Sequence, residues 1–503
     1  MDHAAHRAGV AGRQDRGTLM FLRGLLGYLP ANIISGLVGV ASIWVLTHLL
    51  TPEQYGTYAL AFSVFTLVHV GLFSWAEAAM ARFWPAQSTP RDLADLYSTL
   101  YRALGLASLA LVPVCIALLV FEPLPAIMVW PVLLALVGIP LRSALIMAKE
   151  GFRARGDVRT AAAIDIWFVI GVFGLGVAAI MLGAGAAGPL IGFLVAPLLA
   201  LPLVLSKDRA VMKNGRFNCD LLRRAIHYGY PISMSLGMAV VLNSTDRFML
   251  AWFMDEAAVG AYHASYSLAN RTLDILFVWL GMAGVPAMVM ALEKDGHSAL
   301  RAAAFQHGQT VILIALPAAV GVALVARPLA DVLIGPELRQ ASASVTPLIA
   351  ASGFLSGLLF YYFNQAFVLG KRTDRLLAVM AVPAVANIAF NVVLIPRLGI
   401  YGAALATLLS FAVAIIASVV GARGVIAMPL QTRALLSCGV CCVPMAAIVY
   451  VLPDWGGLLE LITKSAAGAA TYLGCAYAMN AAGLRDLLAN LGHTLNLRQA
   501  PHG

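Results

Sequence analysis

The sequence predicts an all-α, polytopic membrane protein with about 14 transmembrane helices. Three observations carry that expectation. Of 503 residues, 61% are hydrophobic and only 11% are charged, where a soluble chain carries about 25% charge. The mean hydropathy is +0.86. Mostly apolar runs of about 20 residues, the length that crosses a bilayer, recur along the chain.

The spans are expected near 24–48, 56–80, 102–121, 125–148, 161–183, 186–206, 228–253, 257–291, 303–326, 344–369, 374–396, 400–422, 434–452 and 459–481. The first follows a mixed-charge segment, 1–23, and is too long for a signal-peptide core, so it reads as an uncleaved span. Span two carries His69 and Trp75, with Glu77 near its end, where it can reach the interface. Arg142 lies in span four and Asp165 in span five, while Asp246 and Arg247 sit side by side in span seven. Span eight, long enough to hold a tilted or broken portion, carries Tyr262, His263, Tyr266, Asn270, Arg271 and Asp274. Span ten ends in FYYFNQAF, with Asn364 and Gln365, and span eleven holds Asn387 and Asn391. Cys438, Cys441 and Cys442 in span thirteen read as small packing residues, since free Cys behaves as a small hydrophobe. Beyond span fourteen, Leu484, Leu487, Leu488 and Leu491 form an amphipathic stripe suited to a membrane surface.

Cations test the span count independently, because Lys and Arg concentrate in cytoplasmic loops. With the N-terminus inside, 26 of the 33 Lys and Arg fall in inner segments. Arg327, Arg339 and Arg397 fall outside, and Arg142, Arg247, Arg271 and Lys464 fall within spans. One missed span would invert every later loop, so both termini are expected in the cytoplasm. The same bias accounts for the net charge of +9 without invoking nucleic acid.

Two halves echo one another. Tyr28–Pro30 opens the first and Tyr230–Pro231 the second, and the hairpin TPEQYGTYAL with Gly56 and Tyr58 parallels MDEAAVGAYHA with Gly260 and Tyr262. Parallel repeats of this kind mark secondary transporters. The expected organisation is a cytoplasmic segment 1–23, an N-lobe 24–206, a basic inter-lobe loop 207–226 and a C-lobe 227–423. Two added spans within 424–482 and a cytoplasmic tail 483–503 complete it.

Charges at bilayer depth are costly, about 2.5–3.5 kcal/mol each at a span centre on insertion scales. Glu77, Arg142, Asp165, Asp246, Arg247, Arg271 and Asp274 would together cost about 20 kcal/mol if all faced lipid, more than ordinary folding stability supplies. Most therefore face an interior. Arg271 and Asp274, three residues apart, share a helix face and can pair. Asp246 and Arg247, as neighbours, point about 100° apart, so each needs another partner or water, which favours a hydrated cavity. Aromatic and amide side chains nearby can stack on and hydrogen-bond to sugars. No Walker A loop, metal-ligand cluster or catalytic triad is recognisable, and the longest outer loop, 327–343, is too short for a soluble catalytic domain. Transport is the leading class. A polymerase or scaffold of the same membrane pathway is the competing one.

The segments TPEQYGTYALAFSV, NSTDRFMLAWFMDEAAVGAYHASYSLANR and IPRLGIYGAALATLLSFAVA resemble the polysaccharide-transport family of the multidrug, oligosaccharidyl-lipid and polysaccharide exporter superfamily. The likeness runs over about residues 20–480. It implies two six-helix lobes around a V-shaped cavity that opens alternately to either side. It also implies a polyprenyl-diphosphate-linked oligosaccharide substrate, bound for O-antigen or exopolysaccharide assembly at a bacterial inner membrane, alongside polymerase and glycosyltransferases. Cavity cations would receive the diphosphate. Arg271, in YSLANR, falls where related lipid II flippases place an Arg in span eight. Those flippases also carry Arg in the first helices of the cavity, and spans one and two here lack them beyond Arg23. Drug antiporters of the superfamily use an acid in the first span, which 24–48 lacks. The expected substrate contacts are Arg142, Arg271, Asp246, Arg247, Asp274, Tyr266, Asn270, Asn364 and Gln365. No cofactor or metal is expected beyond coupling to a proton or sodium gradient, for which Asp246, Asp274 and Asp165 are the candidate carboxylates.

Overall fold

A computed structural model describes residues 30–489. Segment 1–23, the first residues of span one, and the tail from 490 on, Leu491 of the leucine stripe among them, lie outside the described residues.

The chain is built from helices. In order they are α1 (Pro30–Leu49), α2 (Pro52–Leu72), α3 (Ser74–Phe83), α4 (Pro90–Leu109), α5 (Leu111–Phe121), α6 (Ala126–Ala154), α7 (Val158–Ala179), α8 (Gly188–Met212) and α9 (Cys219–Phe253). Then follow α10 (Glu256–Leu324), α11 (Ala326–Leu333), α12 (Pro336–Leu358), α13 (Gln365–Leu369), α14 (Thr373–Leu398), α15 (Ile400–Gly421), α16 (Thr432–Val451) and α17 (Gly457–Ala478). Among the described residues, 11 stretches are long and apolar enough to cross a membrane. Two of them, 158–212 and 256–324, are each broken into two arms, at Gly183 and Gly296, and α17, a helix of 22 residues, stands where the fourteenth span is expected.

Local chemistry explains the breaks. In α10 the chain departs from helix at Gly296, where φ is 77°, a conformation that disfavours any side chain. Its two arms then run back along one another, since Gly284 lies against the His307 ring. These arms are the eighth and ninth passes. Span three divides into α4 and α5 at Ala110, because Pro113 cannot donate the helical bond to the carbonyl four residues back. Span two divides into α2 and α3 at Phe73, which leaves helical geometry with φ −123°. Nothing near Phe73 resembles a breaker except Gly71, so the residues alone predict one straight span.

Packing groups the described residues into two compact units, one falling within 1–50 and 60–237, the other within 51–59 and 238–503. In the first unit, α6, α7 and α8 pack side by side with α3 and α4 against them. Trp167 donates its indole N–H to the Ala196 carbonyl at 2.9 Å, and Ser74 of α3 shares a 2.7 Å hydrogen bond with Ser233 of α9. In the second unit the core cluster joins Leu242, Leu359, Met380, Phe411 and Ala414. The C-terminal pair α16–α17 docks on α10, where the Tyr472 hydroxyl donates to the Leu313 carbonyl at 2.8 Å. Lys464, counted within a span, is buried and bonds Glu460 at 2.8 Å and also Asp454. That ammonium holds the exposed Asp454 carboxyl below the usual carboxylate range. Outward-facing Leu37, Leu119, Phe121, Leu182, Leu203, Trp252 and Tyr450 are exposed, as suits a chain whose surroundings are hydrocarbon. Cys438, Cys441 and Cys442 are buried in the helix packing.

The repeat glycines meet. A Cβ on Gly56 would overlap the Glu256 carbonyl oxygen, and a Cβ on Gly260 would overlap the Pro52 carbonyl oxygen. Each glycine thus faces the carbonyl four residues before its counterpart. Such close approach between membrane helices is what small residues permit. Gly56→Ala or Gly260→Ala must force the two helices apart, and we expect a loss of about 2 kcal/mol or more. Gly36→Ala, with nothing within 4 Å, should leave stability unchanged. Thermal unfolding of the purified variants in detergent checks the contrast.

Candidate functional site

Among the interior charges of the second unit, the Asp246 carboxylate is buried completely. Four neutral donors from three other helices converge on it. Tyr262 of α10 and Thr407 of α15 each donate a hydroxyl to Oδ2 at 2.6 Å. Asn391 and Asn387 of α14 donate to Oδ1 at 2.9 and 3.3 Å. The two asparagines stand one helical turn apart, so both amides reach the same oxygen, and Asn391 also donates to Asn387 at 3.0 Å. The Asn391 Oδ1 atom is buried without a hydrogen-bond partner. No ion pair to Asp246 exists among the described residues. The arrangement holds because hydrogen bonds to a charged group contribute about 1.5–3 kcal/mol each, and four of them match an effective burial penalty of several kcal/mol.

Arg247, on the next residue of α9, points elsewhere. Its guanidinium carbon lies 4.9 Å from the Tyr266 ring centroid, and the Tyr266 hydroxyl donates to Asn243 at 3.0 Å. Tyr55, Tyr58 and His263 form an adjoining ring cluster, with Tyr55 and His263 centroids 5.3 Å apart.

The first unit holds a second collared arginine. Arg142 of α6 lies between Phe65 of α2 and Phe168 of α7, its guanidinium carbon 5.4 and 5.0 Å from their centroids. Phe62 and Phe193 extend the aromatic wall. No described residue accepts a hydrogen bond from Arg142, and its Nε is buried without a partner. Rings that cover the faces of a guanidinium contribute about 0.5–2 kcal/mol and leave its edge N–H groups for an anion. The carboxylates within electrostatic range of Arg142 are Glu77 and Asp165.

Other expected residues take different places. Arg271 and Asp274 are both exposed and do not form the expected ion pair; one shared helix face permitted the contact, and their side chains do not close it. Asp165 is bound to Lys149 at 3.0 Å. Asn270 lies against Gly353. Asn364 is buried, accepts from Ser418 at 3.0 Å and points its amide at the Met380 sulfur. Gln365 donates to the Phe360 carbonyl at 2.9 Å, within the widened turn Leu359–Phe363. Glu77 is held inside the protein. Its side chain is 12% exposed, bonded to His69 and Ser143.

Sequence reasoning missed two features. The His69–Glu77 contact spans the helix break at Phe73, which no spacing rule for a straight helix finds. A second knot ties Asp208, completely buried, to Arg155 at 3.2 Å and Tyr101 at 2.8 Å; both charges fall between the expected spans.

Comparison with known proteins follows from this geometry. A sequence profile of the family described as "Polysaccharide biosynthesis protein" matches residues 45–343. A probable flippase, AglR, of Haloferax volcanii is 26% identical over 233 residues, 45% of this chain and 48% of that one. An uncharacterized membrane protein of Methanocaldococcus jannaschii, MJ1068, is 25% identical over 198 residues, 39% of this chain and 38% of that one. The match thus spans about half or less of these relatives' lengths. Among solved structures, the lipid II flippase MurJ in an inward closed conformation superposes with a TM-score of 0.75, covering 92% of this chain and 99% of that chain at 13% identity. An inward-facing multidrug resistance MATE family transporter gives 0.63, with 78% and 93% covered at 14% identity. These likenesses establish the fold.

Removing the Asp246 carboxylate strands four buried donors at about 1–3 kcal/mol each. Asp246→Ala is expected to lower stability by several kcal/mol, and Asp274→Ala, exposed and unbonded, by about 0.5 or less. Equal effects on detergent melting would contradict this reading of the two acids.

Proposed function

The chain belongs to the polysaccharide biosynthesis protein family, and from that premise we propose that it is a flippase for a polyprenyl-diphosphate-linked oligosaccharide. It carries the headgroup from the cytoplasmic to the periplasmic leaflet by alternating access, and the glycan then enters surface polysaccharide assembly. The observation that carries this reading is Arg142. It is a guanidinium held between two phenylalanine faces, with its Nε free and no described acceptor. Arg is suited to phosphate oxygens, which its planar fork can bind two at a time. In the second unit Arg247 and Arg271 are the candidate cations, with Tyr266 and Asn270 available to sugars. The lipid tail stays in the bilayer throughout. The cation distribution supports placement with both termini in the cytoplasm, and polymerase and glycosyltransferases are the natural neighbours in the pathway.

Of the three carboxylates considered for ion coupling, Asp246 suits the role best. Asp165 is committed to Lys149 and Asp274 is exposed. Around Asp246 stand two hydroxyl oxygens and two amides, and turning the Asn391 amide over would bring its unpartnered Oδ1 inward. Oxygen donors of this kind suit a hard cation, and the same carboxylate can take a proton. A coupled exporter of small molecules is the second reading, favoured by this ion-ready nest.

The test is flipping by the purified chain in liposomes, with a fluorescent polyprenyl-diphosphate-linked oligosaccharide as probe. We expect movement well above empty liposomes, and Arg142→Ala to slow it by about tenfold or more, the loss of one charge-assisted contact. A rate equal to that of empty liposomes, with small cations still exchanged, would favour the exporter reading.

A further inference from the structure

Arg142 has a titratable neighbour that neither the fold nor the flippase reading explains. His69 stands in the last turn of α2 and Glu77 in the first turn of α3. The break at Phe73 turns α3 so that Glu77 comes back beside His69, and the imidazole Nε2 lies 2.9 Å from Glu77 Oε1. Ser143, the residue after Arg142, donates its hydroxyl to the same oxygen at 2.9 Å. Glu77 Oε2 is bonded by no described residue. The side chains of the pair are 11% and 12% exposed. His69 stacks on Phe65 with ring centroids 6.2 Å apart, and Phe65 is one of the two rings that hold Arg142.

From α6 the charged group facing Glu77 is Arg142. Asp165 of α7 faces Arg142 too, but Lys149 answers it at 3.0 Å. From α8 comes Phe193. From α4 comes Tyr97, already bonded to Arg155 and Trp84. The α9 neighbours of α3 are Ser233 and Tyr228. With His69 neutral, its Nε2–H donating to an ionised Glu77, the pair carries −1, which attracts the guanidinium and repels a diphosphate. One further proton, taken from water by the other ring nitrogen of His69, brings the pair to zero.

We propose that the His69–Glu77 pair is a proton-binding site whose occupancy sets the affinity of Arg142 for a diphosphate. The inference rests on the flippase reading and adds a ligand to it. Protonation removes the competing negative charge and strengthens anion binding. By linkage, a bound diphosphate favours the protonated pair by the same factor. Substrate binding and proton uptake accompany one another, and losing the proton releases the headgroup.

The experiment measures binding of farnesyl diphosphate to the full chain in detergent, between about pH 8 and about pH 6, where histidine titrates. Wild type should bind about tenfold tighter at the lower pH, a typical coupling between two sites. E77Q keeps an acceptor for Ser143 and cannot ionise. At about pH 8 it should bind about tenfold tighter than wild type, because the competing negative charge is gone. H69Q leaves a lone carboxylate, and its transition should move to lower pH. Proton uptake on binding, read from the dependence of calorimetric heat on buffer ionisation, should vanish in H69Q over this range. Equal affinities of wild type and E77Q at about pH 8 would overturn the proposal. If E77Q does not fold, an unshifted H69Q transition would overturn it equally. Absence of binding at every pH in wild type would instead remove the flippase reading, and this inference with it.

Discussion

A charge at bilayer depth has to be answered inside the protein, and the interior of this chain is organised around that constraint. Each buried charge is answered differently. Asp246 is met by two hydroxyls and two amides, Lys464 by two carboxylates, and Glu77 by a histidine and a serine. Arg142 is met by aromatic faces alone. The distinction carries functional meaning. A carboxylate with its lone pairs filled is stable as it stands. A guanidinium with covered faces and free edges still has hydrogen bonds to give.

The helical framework makes those answers possible by bringing distant residues to one depth. The turn at Gly296 lays the eighth and ninth passes together. The close approach at Gly56 and Gly260 fixes the start of α2 beside the start of α10, with Tyr55 and His263 beside each other. Asp246 gathers ligands from residues 16 to 161 positions away in sequence, something only stacked antiparallel helices achieve. The break at Phe73 supplies the last element, since a straight helix would leave Glu77 two turns from His69.

Much of this was legible in the sequence, and the failures have a common cause. Hydropathy located the apolar passes, because length and composition are properties of a segment by itself. Residue types at the site were visible for the same reason: Arg142, Asp246 and Arg247 stand out in apolar runs. Partners were not. The i,i+3 spacing of Arg271 and Asp274 offered a contact that the side chains do not make. Asn387 and Asn391 gave no sign that they belong to Asp246. Asn364 and Gln365 stood out as amides, but nothing pointed to Ser418 and the Phe360 carbonyl as their partners. Partnership depends on which helices pack and where they bend, and a bend without proline, as at Phe73, leaves almost no mark in the sequence.

The central claim is that Arg142 is held ready for an anionic headgroup. A structure of the chain with a polyprenyl diphosphate bound tests it most directly. The account predicts phosphate oxygens within about 2.7–2.9 Å of the Arg142 guanidinium nitrogens, the length of a charge-assisted hydrogen bond, with Phe65 and Phe168 still on its faces. A diphosphate held elsewhere, with Arg142 making no contact to it, would contradict the account.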